Sequence, residues 1–356
     1  MKFMVLGFSG VGKTFYLGSL FKLRYDIGPR GIALQDKNFT EKSWIGNTHE
    51  IMTGIEVGSI SSTMGLIDSS MVLTKGMDQI VDIEITDVEG QALNQKSGSQ
   101  TAQKLISTIE DYDGLILIVK APRNLQEAER SKEHLGQMLN FAREALKGNE
   151  RIPMALVLNQ IDLLPELHRI KPRLEEELEK LEAELDNKYG GNYSLIEQQL
   201  RIRKGEVVNK FVKPAVNTRA VFQVYHTFFR FIKATKLIVP NKVFPCTSLG
   251  FVNTGDTLDF ATYLAESGQI YEPYGSAASF LWVIYARLKT LPKVRLMEIM
   301  PNEAGSNLLV DDLLEDIRDL HTSGKAYFDP DQNNPTKSGI WSLRNISLLE
   351  SHTMQA

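Results

Sequence analysis

A chain of 356 residues that is 42% hydrophobic can fill one large or two modest domains with a proper core. Its 40 Lys+Arg against 44 Asp+Glu offer no global attraction to nucleic acid or anionic lipid, and its single cysteine, Cys246, excludes an internal disulfide framework. The histidines are scattered without zinc-ligand spacing, no apolar run reaches membrane-spanning length, and no basic leader with a cleavage site opens the chain; together these predict a cytoplasmic protein.

In chain order, "KFMVLG" reads as a short buried strand, and a helix of roughly residues 13–23 follows the glycine-rich "GFSGVGKT". A connection of more than forty residues then leads to a strand at "SSMVLTKG". In "MDQIVDIEITDVEG", Val81, Ile83 and Ile85 alternate with polar residues, as in a strand ending at Asp87. Residues 113–122 and 153–162 are continuous apolar strands, with a covering helix over 124–147 carrying Leu125, Leu135, Leu139, Phe141 and Leu146 between them. A last strand falls at 241–250 and a last helix at "SAASFLWVIYARLKTL". Strands buried on both faces and joined by helices predict an α/β fold with a mainly parallel sheet, whose ligands bind at the carboxyl ends of the strands.

Residues 165–216 do not belong to a minimal α/β unit. They are charged, with Leu174, Leu178, Leu181 and Leu185 forming a narrow seam, and "YGGNY" interrupts them, which predicts a helical hairpin insertion. The hairpin is either a solvated helix pair or a docking arm for a protein partner. Phe222, Tyr225, Phe228, Phe229 and Ile232 recur at helical spacing and read as core. The domain is expected to span 1–290, with 291–356 as an extension holding one helix near 307–320. Within it, "DPDQNNPTKSGI" mimics a calcium loop but has Asn334 where the turn needs Gly and Ile340 where the bidentate Glu belongs, so it is rejected.

The polar motifs sit at the predicted strand ends. "GFSGVGKT" has the spacing Gly-x-x-x-x-Gly-Lys-Thr of a phosphate-binding loop. Gly7, Gly10 and Gly12 leave backbone N–H groups facing phosphates with no Cβ in the way, so Gly7, Ser9, Gly10, Val11, Gly12, Lys13 and Thr14 form the phosphate-holding set. Lys13 would reach the β- and γ-phosphates and Thr14 would ligate Mg²⁺. In "DVEGQ", Asp87 can hold Mg²⁺ through a water, the Gly90 N–H can meet the γ-phosphate, and Gln91 can orient the attacking water. In "NQID", with Asn159, Gln160 and Asp162, the carboxylate of Asp162 can accept from guanine N1–H and the 2-amino group together. Adenine presents an acceptor and a C–H on that edge, at a cost on the order of 1 to 3 kcal/mol or more. The backbone N–H groups of Thr247, Ser248 and Leu249 can meet the guanine O6.

This ordered set, "GFSGVGKT", "DVEGQ", "NQID" and "TSL", resembles the P-loop GTPases of the Ras-like, translation-factor-related (TRAFAC) class, and the enlarged first connection is similar to prokaryotic GTPase domains of the double-GTPase kind. The resemblance covers about residues 1–290 without the hairpin. It implies a Ras-like P-loop NTPase fold and a Mg²⁺-dependent GTPase cycling between GTP and GDP as a molecular switch for a partner protein. It also implies a first-switch threonine closing over Mg²⁺, for which Thr63 is the candidate and Thr53 and Ser62 are rivals. Three departures stand out: Gln160 where the family usually carries Lys, Thr247-Ser248-Leu249 where it has Ser-Ala-Lys or Ser-Ala-Leu, and Glu89 where small GTPases commonly have Ala. Glu89 could face solvent, repel the phosphate or act as a base. No internal arginine finger is evident, so slow turnover without a partner is expected. Two other readings stay open: an ATP-using P-loop enzyme with Glu89 as base, and a scaffold that binds nucleotide without hydrolysing it.

Overall fold

The computed structural model describes residues 1–20, 32–36, 66–75, 78–88, 112–145, 152–196, 218–235, 241–248 and 275–291, with positions 199, 203, 207, 210, 211, 215 and 216. Thr53, Ser62, Thr63, Glu89, Gly90, Gln91, Leu249 and the extension beyond Leu291 lie outside the described residues.

Among the described residues, seven strands form one sheet: β1 (Lys2–Leu6), β2 (Ile32–Asp36), β3 (Leu66–Lys75), β4 (Asp78–Val88), β5 (Gly114–Lys120), β6 (Met154–Asn159) and β7 (Asn241–Pro245). Their spatial order is β2-β3-β4-β1-β5-β6-β7. From β4 to β7 every pairing is parallel; β3 runs antiparallel to β4 and β2 antiparallel to β3. The chain leaves β1 towards β4 and later crosses to β5 on its other side, so strand order reverses at β1, where open α/β sheets bind ligands beyond their carboxyl ends.

The parallel strands are apolar throughout because both of their faces are covered. All of Met154–Asn159 and Gly114–Val119 are buried. The cover is two helix layers: α1 (Lys13–Ser19) packs with α5 (Ser276–Thr290), and α2 (Leu125–Ala145) packs with α4 (Arg219–Thr235). Phe3 meets Phe280 edge-on at 5.6 Å, and Gly114 of β5 leaves room for Val283 of α5. β4 keeps the predicted alternation, with Val81, Ile83 and Ile85 buried and Asp82 and Glu84 exposed, and then runs fully buried from Ile85 to Val88. The α4 stripe of Tyr225, Phe228, Phe229 and Ile232 lies in the core, whereas Phe222, expected with them, is only partly buried. Leu125, the first residue of α2, is exposed instead; the helix starts on Asn124, whose side chain accepts from the Glu127 N–H at 2.9 Å.

α3 (Pro165–Tyr189) opens on proline and closes on Gly190, whose φ of 56° suits glycine and whose N–H donates to Asp186 O. Its Leu174, Leu181 and Leu185 are buried and Leu178 is partly so. Glu177 pairs with Lys210 and Glu184 with Arg203, so the returning segment runs antiparallel along it.

Candidate functional site

The "GFSGVGKT" loop joins β1 to α1, "NQID" follows β6, and "TS" follows β7, so the three motifs meet at the carboxyl edge of the sheet. In the loop, Gly10 and Gly12 have φ of 80° and 82°, where a side chain is strained. A Cβ on Gly12 would fall 2.6 Å from Asn159 Nδ2, and one on Gly7 would fall 2.9 Å from Ile118 O of β5. Lys13 is nearly buried, and its Nζ donates to Gly7 O at 2.8 Å, curling the loop around the ammonium. Ser9 and Gly10 are exposed, Thr14 is half-buried, and Val11 is in the core.

Asn159 fastens the site together. Its Nδ2 donates to Val11 O at 2.9 Å and Gly12 O at 3.3 Å, while its Oδ1 accepts from Ser248 N at 3.2 Å and Ser248 Oγ at 3.1 Å. A buried amide used at both ends holds two backbone segments in one geometry, and loss of either end would strand buried partners. Gln160 stands in the left-handed region at φ 63°, a conformation uncommon outside glycine, and its Nε2 donates to Gly10 O at 3.0 Å. The predicted strand over 153–162 therefore ends at Asn159: the turn at Gln160 starts a 3₁₀ segment, Ile161–Leu163, that carries Asp162 off the sheet.

Asp162 is half-buried on that turn, and the Thr247 hydroxyl donates to its carboxylate. Burial pushes its pKa up to about 6, with the hydrogen bonds from Thr247 and from its own N–H pulling the other way. Because this value lies above that of the unfolded chain, the contribution to stability is full below about pH 4 and is lost as pH rises through about 6. Ligand-free Asp162→Asn is accordingly expected to unfold at higher temperature than wild type at pH 7, by about 1–2 kcal/mol after solvent screening, with the gap closing near pH 4. Thermal unfolding across that range checks this, and a gap that does not change with pH would contradict it.

Asp87 is buried at the end of β4, and its register opposite Val5 of β1 puts it beside the strand that feeds the loop. Thr14 and Asp87 offer a hydroxyl and a carboxylate, the oxygen donor set that suits Mg²⁺.

Two features escaped the sequence reading. Phe8 of the loop stacks on His134 of α2 with ring centroids 4.2 Å apart, and burial lowers the His134 pKa, favouring the neutral ring. A hydroxyl cluster also ties α1 to α5: Tyr16, Ser19, Ser276 and Ser279 are all buried. Two serines one turn apart in "SAAS" were the only signal of it.

Among the described residues, no helix is long and apolar enough to cross a membrane, and no group of three or more His, Cys, Asp or Glu could hold a metal ion. No protein-family model matches the chain, and no curated protein matches it.

Proposed function

We propose that this chain is a Mg²⁺-dependent GTP-binding protein of the Ras-like P-loop class that hydrolyses GTP to GDP and phosphate and serves as a switch for a protein partner. The observation that carries the reading is the Asn159 clamp, which ties the phosphate-type loop directly to the turn beside Asp162. A phosphate cradle and a carboxylate suited to guanine then belong to one site rather than to two unrelated loops.

The residues divide the work by chemistry. Backbone N–H groups of Gly10 to Thr14 face the phosphates, and Lys13 exchanges its Gly7 carbonyl for phosphate oxygens. Thr14 and Asp87 would hold Mg²⁺, with Thr63 joining when the first connection closes; the ion supplies neutralisation of phosphate charge. Asp162 accepts from the guanine edge, and Thr247, Ser248 and Leu249 frame O6. Gln160, already tied to Gly10 O, replaces a lysine's aliphatic stem with an amide beside the base. Gln91 orients the water for in-line attack on the γ-phosphate. The partner would act at the switches or along the α3 hairpin.

Gln91→Leu separates a hydrolase from a scaffold that only binds. The reading predicts that the variant binds GTP as wild type does and loses turnover by about a hundredfold or more, measured as phosphate release in single-turnover assays. Unchanged turnover would mean that Gln91 does not position the water.

A further inference from the structure

The phosphate loop and the base turn are joined a second time, by a route through the interior that no contact to nucleotide requires. It begins at α1, where the Tyr16 N–H donates to Gly12 O at 2.9 Å. The Tyr16 side chain is fully buried, and its hydroxyl lies 2.8 Å from Ser279 Oγ on α5. Both hydroxyls also reach the Ser276 carbonyl, Ser279 Oγ at 2.8 Å and Tyr16 OH at 3.5 Å, so the shorter Ser279 bond leaves the Tyr16 proton to Ser279 as the better-matched arrangement. Burial keeps the phenol protonated and able to donate. Ser19 of α1 makes a second tie, its Oγ lying 2.7 Å from Ser276 Oγ.

From Ser276 the route passes to β7. Ser276 hydrogen-bonds the Cys246 thiol, and Cys246 Sγ lies 4.0 Å from Ser248 Oγ, which in turn donates to Asn159 Oδ1. Asn159 returns to Val11 O and Gly12 O. The route returns to its start, through phosphate loop, α1, the first turn of α5, the base turn and Asn159, with the 4.0 Å Cys246–Ser248 contact its longest step. Gly275, just ahead of α5, has φ 81° and leaves no room for a Cβ against the carbonyl of Pro245, so the start of α5 is pressed onto the strand end that leads into the base turn. Nothing in core packing calls for this many hydroxyls at one helix contact; apolar residues of the same size would fill it.

We propose that Tyr16, Ser276 and Ser279 are positioning residues that hold α1 and its phosphate loop at a fixed distance from the base turn, so that base and phosphates are gripped as one ligand. The inference rests on the guanine-nucleotide reading above. A hydrogen-bonded ring transmits a change at one side to the other, because a buried polar group that loses its partner draws its neighbours into new arrangements. Tyr16→Phe keeps the ring in the core and leaves Ser279 its bond to Ser276, so the variant remains folded.

The test has two readouts on the full chain. The first, taken without nucleotide, is amide hydrogen exchange. Tyr16→Phe is expected to quicken exchange about tenfold at the Ser248 amide and in residues 7–14, at the far ends of the route from the phenol. The second is GDP affinity, expected to fall about tenfold in Tyr16→Phe and further in Ser279→Ala, which leaves the buried Tyr16 hydroxyl only the Ser276 carbonyl at 3.5 Å. Thr227→Ala, which removes a hydroxyl bond to Gln223 O on α4, serves as the control and should change neither readout. If wild type binds GDP and Tyr16→Phe matches it in both, or if Thr227→Ala shifts them as much, the coupling is overturned. If exchange at Ser248 responds but wild type ignores GDP, the coupling stands and the nucleotide reading falls.

Discussion

Replacing Lys13 with alanine is expected to weaken GTP and GDP binding by about a hundredfold or more and to bring phosphate release to background. Lys13 is the first residue of α1, nearly buried, and its ammonium already anchors the loop through Gly7 O. Charge-assisted hydrogen bonds to phosphate oxygens are worth roughly twice neutral ones, and no other cation among the described residues lies in the loop. The substitution therefore removes both the charge that meets the phosphates and the hook that shapes their cradle. Arginine should not rescue it: a planar guanidinium does not fit the curled loop that a compact ammonium fits. Titration with a fluorescent GDP, alongside a denaturation midpoint to confirm folding, checks the expectation. Binding within about threefold of wild type would remove the phosphates from this loop.

Exchanging Asp162 for asparagine is expected to lower guanine nucleotide affinity by about a hundredfold or more and to create binding of xanthosine nucleotides. The wild-type carboxylate can only accept, which matches the two donors of guanine. Xanthine keeps N1–H but has a carbonyl in place of the 2-amino group, so an amide that accepts through Oδ1 and donates through Nδ2 pairs with it. The environment supports the swap: Thr247 holds the side chain from one side, and an amide carries no charge for the half-buried site to desolvate. For the same reason guanine binding by wild type should weaken as pH falls through about 6, where the carboxylate takes up its proton.

The parallel strands were legible because continuous burial leaves an apolar run, and β1, β5 and β6 were each read within about three residues, whereas the strand expected over 241–250 ends at Pro245, where the chain turns into the base loop. β2 was not read: Ile32–Asp36 is a short edge strand ending in Gln35 and Asp36, and although Gly28-Pro29 and Gly31 precede it, three apolar residues are too few to show a period. The antiparallel sense of β3 was also missed, although only two residues separate Lys75 from Asp78, a link too short for anything but a hairpin. At the site, residue types at motif spacing pointed to Asn159 and Asp162, but the left-handed turn at Gln160 that aims Asp162 has no sequence signature in a residue of that kind. The Tyr16–Ser279 contact joins residues far apart in the chain, and periodicity records only which face of a helix is buried, not what it meets.

A competition titration of GTP, ATP and XTP, in Mg²⁺, against wild type and Asp162→Asn decides whether the base turn reads guanine. Wild type should prefer GTP over ATP by about a hundredfold, and the variant should lose GTP while gaining XTP. Equal binding of GTP and ATP by wild type, unaltered in Asp162→Asn, would contradict guanine recognition and make Glu89, with an ATP-using chemistry, the residue to examine.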